Sequence, residues 1–268
     1  MTALIEIRGV AKRFGSVRVL SNIDLDVYAG ETLGLVGDNA AGKSTLMKIL
    51  IGFYRADRGT IQVGGQIIHH PTPHLMRSLG LEIVYQDLAL EDNLDIQSNV
   101  FLGRELHYST WQMRKLNTRA MRSRCETALK QLELDLHPNL PVRRLSGGQR
   151  QAIAIARALA FDPKLIILDE PTNNLSASRV ETVLRLVKRL KAMGVATIII
   201  SHRSDEVFEV GDRVAVIKEG HCVGTAPIPE ITRDEVASLI VWGTRHANAQ
   251  HHIDGSDQDT ADAVESRR

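Results

Sequence analysis

The sequence predicts an α/β protein built on a mostly parallel sheet, with antiparallel accessory strands and an inserted α-helical subdomain. Three observations lead there: short aliphatic runs of strand length alternate with amphipathic helical windows, glycines stand near the ends of those runs, and an arginine-rich helical stretch interrupts the alternation. A chain of 268 residues, 43% hydrophobic and 24% charged, suits one globular body of one to two domains and excludes disorder throughout.

Taken in order, Ile5 to Val10, Ile23 to Val27 and Thr32 to Val36 read as strands, with Gly9, Gly30 and Gly37 near their ends. From Ser44 the spacing of Leu46, Ile49 and Leu50 predicts a helix. Asp57, Arg58 and Gly59 then turn the chain into a strand over Thr60 to Val63, and Leu81 to Tyr85 reads as another. Between Asn99 and Leu136 the chain is Arg-rich, poor in β-branched residues and helically spaced at Met121, Cys125, Ala128 and Leu132, so it reads as a helical insertion. A strand over Leu165 to Leu168, an amphipathic helix over Ser178 to Met193 and a strand over Ala196 to Ile200 restore the alternation. Val214 to Lys218 reads as an accessory strand leading into a Glu219-Gly220 hairpin turn. Residues 1–242 are expected to form one unit with its helical subdomain at about 88–160, and residues 243–268, polar and without periodicity, a flexible tail.

Charge and composition remove several function classes. Lys and Arg total 33 against 32 for Asp and Glu, a net charge of +1, so nothing suggests a general basic coat for nucleic acid, and any anion must be held locally. Aromatic residues are only 4%, which disfavours a base-stacking platform. No apolar run has the length of a membrane span, and Glu6 and Arg8 interrupt the start too early for a signal peptide, so the chain is expected to stay in the cytosol. Cys125 and Cys222 stand far apart and are expected to be reduced thiols.

The chemistry lies in three short motifs. Gly37-Asp38-Asn39-Ala40-Ala41-Gly42-Lys43-Ser44 fits G-x-x-x-x-G-K-[ST] between a strand and a helix, the context that pattern requires. Its backbone N–H groups can face a phosphate chain, Lys43 adds a cation near the terminal phosphates, and Ser44 can ligate Mg²⁺. A chance match would arise in on the order of one per cent of chains of this length, before the strand and helix are required. Leu165-Ile166-Ile167-Leu168-Asp169-Glu170 is a buried strand ending in two carboxylates at the ligand-facing end of a parallel sheet. Asp169 suits a Mg²⁺ role and Glu170 that of orienting and deprotonating water. Leu145-Ser146-Gly147-Gly148-Gln149 opens a helical segment reaching Leu159, a second anion-binding helix end, although locally it describes no more than a Ser N-cap.

The phosphate loop, Gln86 after a strand, Leu145 to Gln149, Asp169-Glu170 and His202 together resemble, in order and approximate spacing, the ATP-binding cassette ATPases of transporters. The resemblance covers most of Ile5 to Gly224. It implies a P-loop NTPase core of the RecA-like kind that hydrolyses ATP with Mg²⁺. Phe14 takes the place of the aromatic on adenine, and residues 37–45 from Gly37 to Thr45 hold the phosphates. Gln86 reaches Mg²⁺ and the attacking water, and His202 contacts the γ-phosphate. Two cassettes would pair head to tail, so that Ser146, Gly148 and Gln149 of one meet the nucleotide on Lys43 of the other. The stretches Val84 to Leu90 and Asn99 to Glu105, with Gly37-Asp38-Asn39, look like the monosaccharide-import branch, and among its members the lone-cassette, fructose-importer kind. The implied partners are a second copy, integral membrane permease subunits and, indirectly, a periplasmic sugar-binding protein, with the chain peripheral on the cytoplasmic side of the inner membrane and no nucleic acid bound.

Two residues depart from the family's pattern. Ala40 replaces a usual glycine, a difference of only a methyl group provided φ is negative there. Ser176 stands where many cassettes place the Asp that links the two sites. A soluble cassette acting on ribosomes or DNA is the competing reading, disfavoured by the single cassette and the short insertion. A GTPase would want an Asn-Lys-x-Asp motif, which is absent. The histidines at 69, 70 and 74, with Pro71 and Pro73 breaking helical spacing, and those at 246, 251 and 252, suggest no more than adventitious metal binding.

Overall fold

The computed structural model describes residues 2–108, 115–173 and 175–244. The expected flexible tail lies, beyond Thr244, outside the described residues, as do the histidines at 246, 251 and 252. Strands β1 (Ala3–Phe14), β2 (Val17–Tyr28) and β3 (Thr32–Val36) precede helix α1 (Lys43–Leu50). Next come β4 (Arg58–Val63), β5 (Gln66–Ile67), α2 (Pro73–Ser78) and β6 (Leu81–Val84). The helical stretch contributes α3 (Ile96–Phe101), α4 (Thr118–Gln131) and α5 (Gly147–Leu159). The remainder alternates: β7 (Leu165–Asp169), α6 (Ala177–Ala192), β8 (Ala196–Ile200), α7 (Ser204–Val210), β9 (Arg213–Lys218), β10 (His221–Pro227) and α8 (Arg233–Trp242).

Two sheets result. The first, in the order β2-β1-β4-β5, is antiparallel; the second, β10-β9-β3-β8-β7-β6, is parallel except for β10. Strict alternation along β7, β8 and β9 sends Leu165, Ile167, Ile198, Ala215 and Ile217 to one face, where they meet α1 and the antiparallel sheet. Ile166, Leu168, Ile199, Val214 and Val216 go to the other face, beneath the helices. A parallel sheet covered on both sides needs such doubly apolar strands, because neither face can be left to water.

The fold corrects three local expectations. β9 is no accessory strand: Val214 to Ile217 are all fully buried, and Arg213 to Val216 pair in parallel with β3, making β9 an immediate neighbour of the strand that carries the phosphate loop. The Glu219-Gly220 turn does come next, with both φ positive (47° and 77°), as a type I′ hairpin requires. The helical stretch is not continuous; α3 and α4 are separate helices, and between them His107 pairs with Leu116. Its predicted seam is nonetheless correct, since Met121, Cys125, Ala128 and Leu132 are all buried. Pro73 does not break a helix but starts α2, where an N–H would be unpaired anyway, and Thr72 caps it by accepting from Leu75 N.

Candidate functional site

Three adjacent parallel strands, β3, β8 and β7, end at one edge of the large sheet, with Leu35 opposite Ile200 and Ile200 opposite Asp169. The segments at these strand ends are therefore held side by side by backbone hydrogen bonds: residues 37–42 after β3, Asp169-Glu170 at the end of β7, and Ser201-His202 after β8. This is how residues far apart in the sequence, from Gly37 to His202, come to meet.

The phosphate loop is drawn tight. A Cβ on Gly37 would lie 2.0 Å from the carbonyl oxygen of Ile217, and one on Gly42, whose φ is 107°, would lie 2.6 Å from Leu20. Only glycine fits either place, and the loop's backbone is held at the mouth of α1. Asp38, Asn39, Ala40 and Ser44 are exposed, Thr45 is half-buried, and Ala41 is buried. Ala40 has φ 64°, so the expectation of a harmless methyl group fails: its Cβ crowds the backbone in this left-handed conformation. Lys43 is not a solvent-facing side chain but a buried one, its Nζ donating to Gly37 O at 2.7 Å and Asp38 O at 2.8 Å. Burial lowers its pKa, against the opposing charges of Glu170, Asp38 and Asp169.

Opposite this cation stand the two carboxylates. Burial, and next the neighbouring Glu170, raise the pKa of Asp169, while Lys48 and Lys43 oppose the shift. Glu170 has φ 47° and is fixed from both sides, its N–H donating to Ile200 O at 3.0 Å and its Oε2 accepting from Asn173 Nδ2 at 3.1 Å. A strained, over-determined backbone at a polar cleft is a mark of function. His202 Nδ1 comes within 3.9 Å of Glu170 Oε1, the base candidate and the switch candidate facing one another. The exposed Ser44 hydroxyl, the Asp169 carboxylate and the exposed Gln86 amide just past β6 are hard oxygen donors, few in number, the set that suits Mg²⁺ with most of its waters retained.

Phe14, at the end of β1, is a surface ring rather than a core residue: it is 41% exposed and stands edge-on to Tyr54 at 5.1 Å, with Lys12 Nζ 5.4 Å from its centroid. No hydrogen bond among the described residues joins Ser146, Gly148 or Gln149 to Lys43. Ser146 and Gln149 form a reciprocal capping box, and the groups nearest Gly147 and Gly148 belong to Arg179 and Leu175. Both ends of α5 are joined to the segment after Gln86. Arg157 of α5 donates to Leu88 O at 2.7 Å and Ala89 O at 2.9 Å, and Arg150 pairs with Asp92 at 2.5 Å. Ser176 precedes α6 and makes no side-chain cap.

Sequence reasoning missed Asn173, Lys48 and Glu206. Glu206 is buried in α7 and accepts from Thr172 and Ser201, on either side of the site. Its one sequence signal is an acid four residues after His202, within the first turn of a helix. The described residues hold no group of three or more His, Cys, Asp or Glu able to bind a metal on their own, and no helix among them is long and apolar enough to cross a membrane. Both cysteines are free, as expected, and burial pushes the Cys125 thiol up to about 12.

A profile of the family described as ABC transporter matches residues 20–173. The chain is 39% identical over 239 residues to the ribose import ATP-binding protein RbsA 1 of Burkholderia cenocepacia, covering 89% of this chain and 46% of that protein. It thus spans about half the length of the ribose-import relatives it matches. It is also 39% identical over 241 residues to the xylose/arabinose import ATP-binding protein XylG of Sulfolobus acidocaldarius, covering 90% of this chain and 94% of that one. Among solved structures, a nucleotide-free ATP-binding cassette from an ABC transporter superposes with a TM-score of 0.74 at 25% identity, covering 84% of this chain and 92% of that one. The structure of cbiO1 from Clostridium perfringens, part of the ABC transporter complex cbiONQ, gives 0.76 at 25% identity, covering 90% and 96%.

Proposed function

This chain belongs to the ABC transporter family, and from that premise we propose that it is the ATP-hydrolysing subunit of a monosaccharide importer. The observation that carries the catalytic part is the convergence of Lys43, Asp169, Glu170 and His202 on three neighbouring strand ends, with His202 3.9 Å from Glu170. In this reading Phe14 stacks on adenine, and the N–H groups of residues 37–45 and Lys43 hold the phosphates. Lys43 exchanges its two loop carbonyls for phosphate oxygens of higher charge. Ser44, Asp169 and Gln86 hold Mg²⁺, which when bound neutralises charge on the terminal phosphates. Glu170 orients water in line with the γ-phosphate and accepts its proton, an effect worth ~10²–10⁴-fold. His202, beside it, donates to the γ-phosphate.

Ser146, Gly148 and Gln149 complete the site of a second copy in this reading; within the chain, Lys43 bonds to Gly37 and Asp38, and Ser146 and Gln149 to each other. Residues 1–242 act as one cassette in this scheme, the helical subdomain at about 88–160 meeting permease subunits near Gln86 to Glu105. The Arg150–Asp92 pair then connects that contact to the first turn of α5, and the Arg157 bonds to Leu88 and Ala89 connect it to the last. The sugar class rests on the relatives' names and on the likeness of Val84 to Leu90 and Asn99 to Glu105. The chain would sit on the cytoplasmic side of the inner membrane, served indirectly by a periplasmic sugar-binding protein.

The test is to reconstitute the chain with its permease and binding protein and compare ATPase rates with pentoses, hexoses, peptides and metal ions. Stimulation by a pentose or hexose is expected. A response to peptide or metal with none to any sugar would overturn the substrate class and leave the ATPase assignment standing.

A further inference from the structure

Beside the loops of Glu170 and His202 lies a third carboxylate, one that the reaction as described does not use. Glu206 is 3% exposed, in the first turn of α7. Its Oε2 accepts from Thr172 Oγ1 at 2.5 Å and from Ser201 Oγ at 3.1 Å. Thr172 is two residues beyond Glu170 and Ser201 immediately precedes His202, and both are themselves buried. Ser201 Oγ in turn accepts from the backbone N–H of Arg203, and the Arg203 guanidinium lies 3.0 Å from Glu206 Oε1 as an ion pair without a hydrogen bond. One buried oxygen thus joins the loop that carries the water-activating candidate to the loop that carries the switch candidate.

A carboxylate is a costly choice for such a place. Burying it forfeits hydration that a Leu or Met of similar size never had, and its partners offset that only when geometry is good. What an apolar residue could not supply is a fixed distance between two loops leaving adjacent strands.

We propose that Glu206 is a positioning residue for hydrolysis: by holding Thr172 and Ser201 on one oxygen it sets the separation of Glu170 and His202 around the γ-phosphate. The inference rests on the site assignment proposed above. Glu206 touches no reacting atom; it acts through the two loops, whose displacement by about 1 Å can lower a rate on the order of 10²-fold.

The test uses the full chain and its ATPase kinetics, with nucleotide affinity and thermal unfolding measured alongside. Glu206→Ala is expected to lower kcat about 10- to 100-fold with KM for ATP little changed. Glu206→Gln, which keeps an acceptor oxygen, should recover most of that loss. Thr172→Val should reproduce part of it, and the double variant Thr172→Val/Glu206→Ala should be no worse than Glu206→Ala alone, the non-additivity of groups acting as one unit. A folded Glu206→Ala with parental kcat overturns the proposal, as does a Gln variant no better than Ala. Should Glu206→Ala fail to fold, Thr172→Val decides: parental kcat there overturns it as well. Glu170→Gln, run in parallel, separates the two layers. If it retains the parental rate, the site assignment falls and this inference with it; if it is inactive while Glu206→Ala is not, the inference alone falls.

Discussion

At the residue scale, Lys43 and Ala40 show how far the phosphate loop departs from relaxed backbone and solvated side chains to reach its geometry. Lys43 is buried and bonded to two loop carbonyls, so Lys43→Ala should do more than remove a phosphate ligand. We expect loss of ATP binding or hydrolysis together with a stability loss of about 1–3 kcal/mol from carbonyls left unpaired. Nucleotide titration and denaturant unfolding of the same variant check both parts; unchanged turnover in the folded variant would remove Lys43 from the site. Ala40, held at φ 64°, carries the opposite expectation. Ala40→Gly should stabilise the chain by up to about 1–2 kcal/mol, less the added entropy of glycine in the unfolded state. A shift of the unfolding midpoint toward lower denaturant would show that the left-handed alanine is unstrained.

At the element scale, the capping box on α5 is the feature most exposed to a single substitution. Ser146 and Gln149 satisfy each other's backbone N–H groups, so Ser146→Ala should cost about 1 kcal/mol in denaturant unfolding. In the assembled pair it should also slow ATP turnover, and an unchanged rate would detach this helix end from the nucleotide. The elements also differ in how legible they are in the sequence. β3 and β8 are readable because each is a continuous run of five buried positions that stops where the aliphatic pattern gives way, at Gly37 after β3 and at Ser201 after β8. β1 and β2 run several residues further than their apolar cores, because the added residues, 11–14 and 17–22, are nearly all half-buried or exposed and so include charges such as Lys12, Arg13 and Arg18. β9 shows the opposite failure: burial announces a strand but not which neighbour it pairs with. As candidates, Asp169, Glu170 and His202 are readable because each lies at or just beyond the end of a buried strand, and Lys43 because it opens the helix that follows the phosphate loop. Glu206 is not, because its partners stand five and 34 residues away and only the folded sheet brings them within reach.

At the scale of the whole molecule, the proposed function makes each chain carry two halves of a site shared with a second copy, one at Lys43 and the other at Ser146. Glu170→Gln should keep every contact to nucleotide yet lose the proton acceptor, so ATP should persist and hold two chains together. Light scattering should report a dimer with ATP and a monomer without; hydrolysis at the parental rate would show that Glu170 is not the base. The strand order has a further consequence, for the chain as it is being made. β3 lies between β8 and β9, so the strand leading into the phosphate loop has neither lateral partner until translation has reached Ala196 and then Arg213. At ribosomal speed that interval is roughly 10–30 s, during which Thr32 to Val36 is an unpaired aliphatic segment open to adhesion. A chain released before Arg213 would leave one side of β3 bare, so the pocket written earliest into the polypeptide is among the last parts of it to be braced.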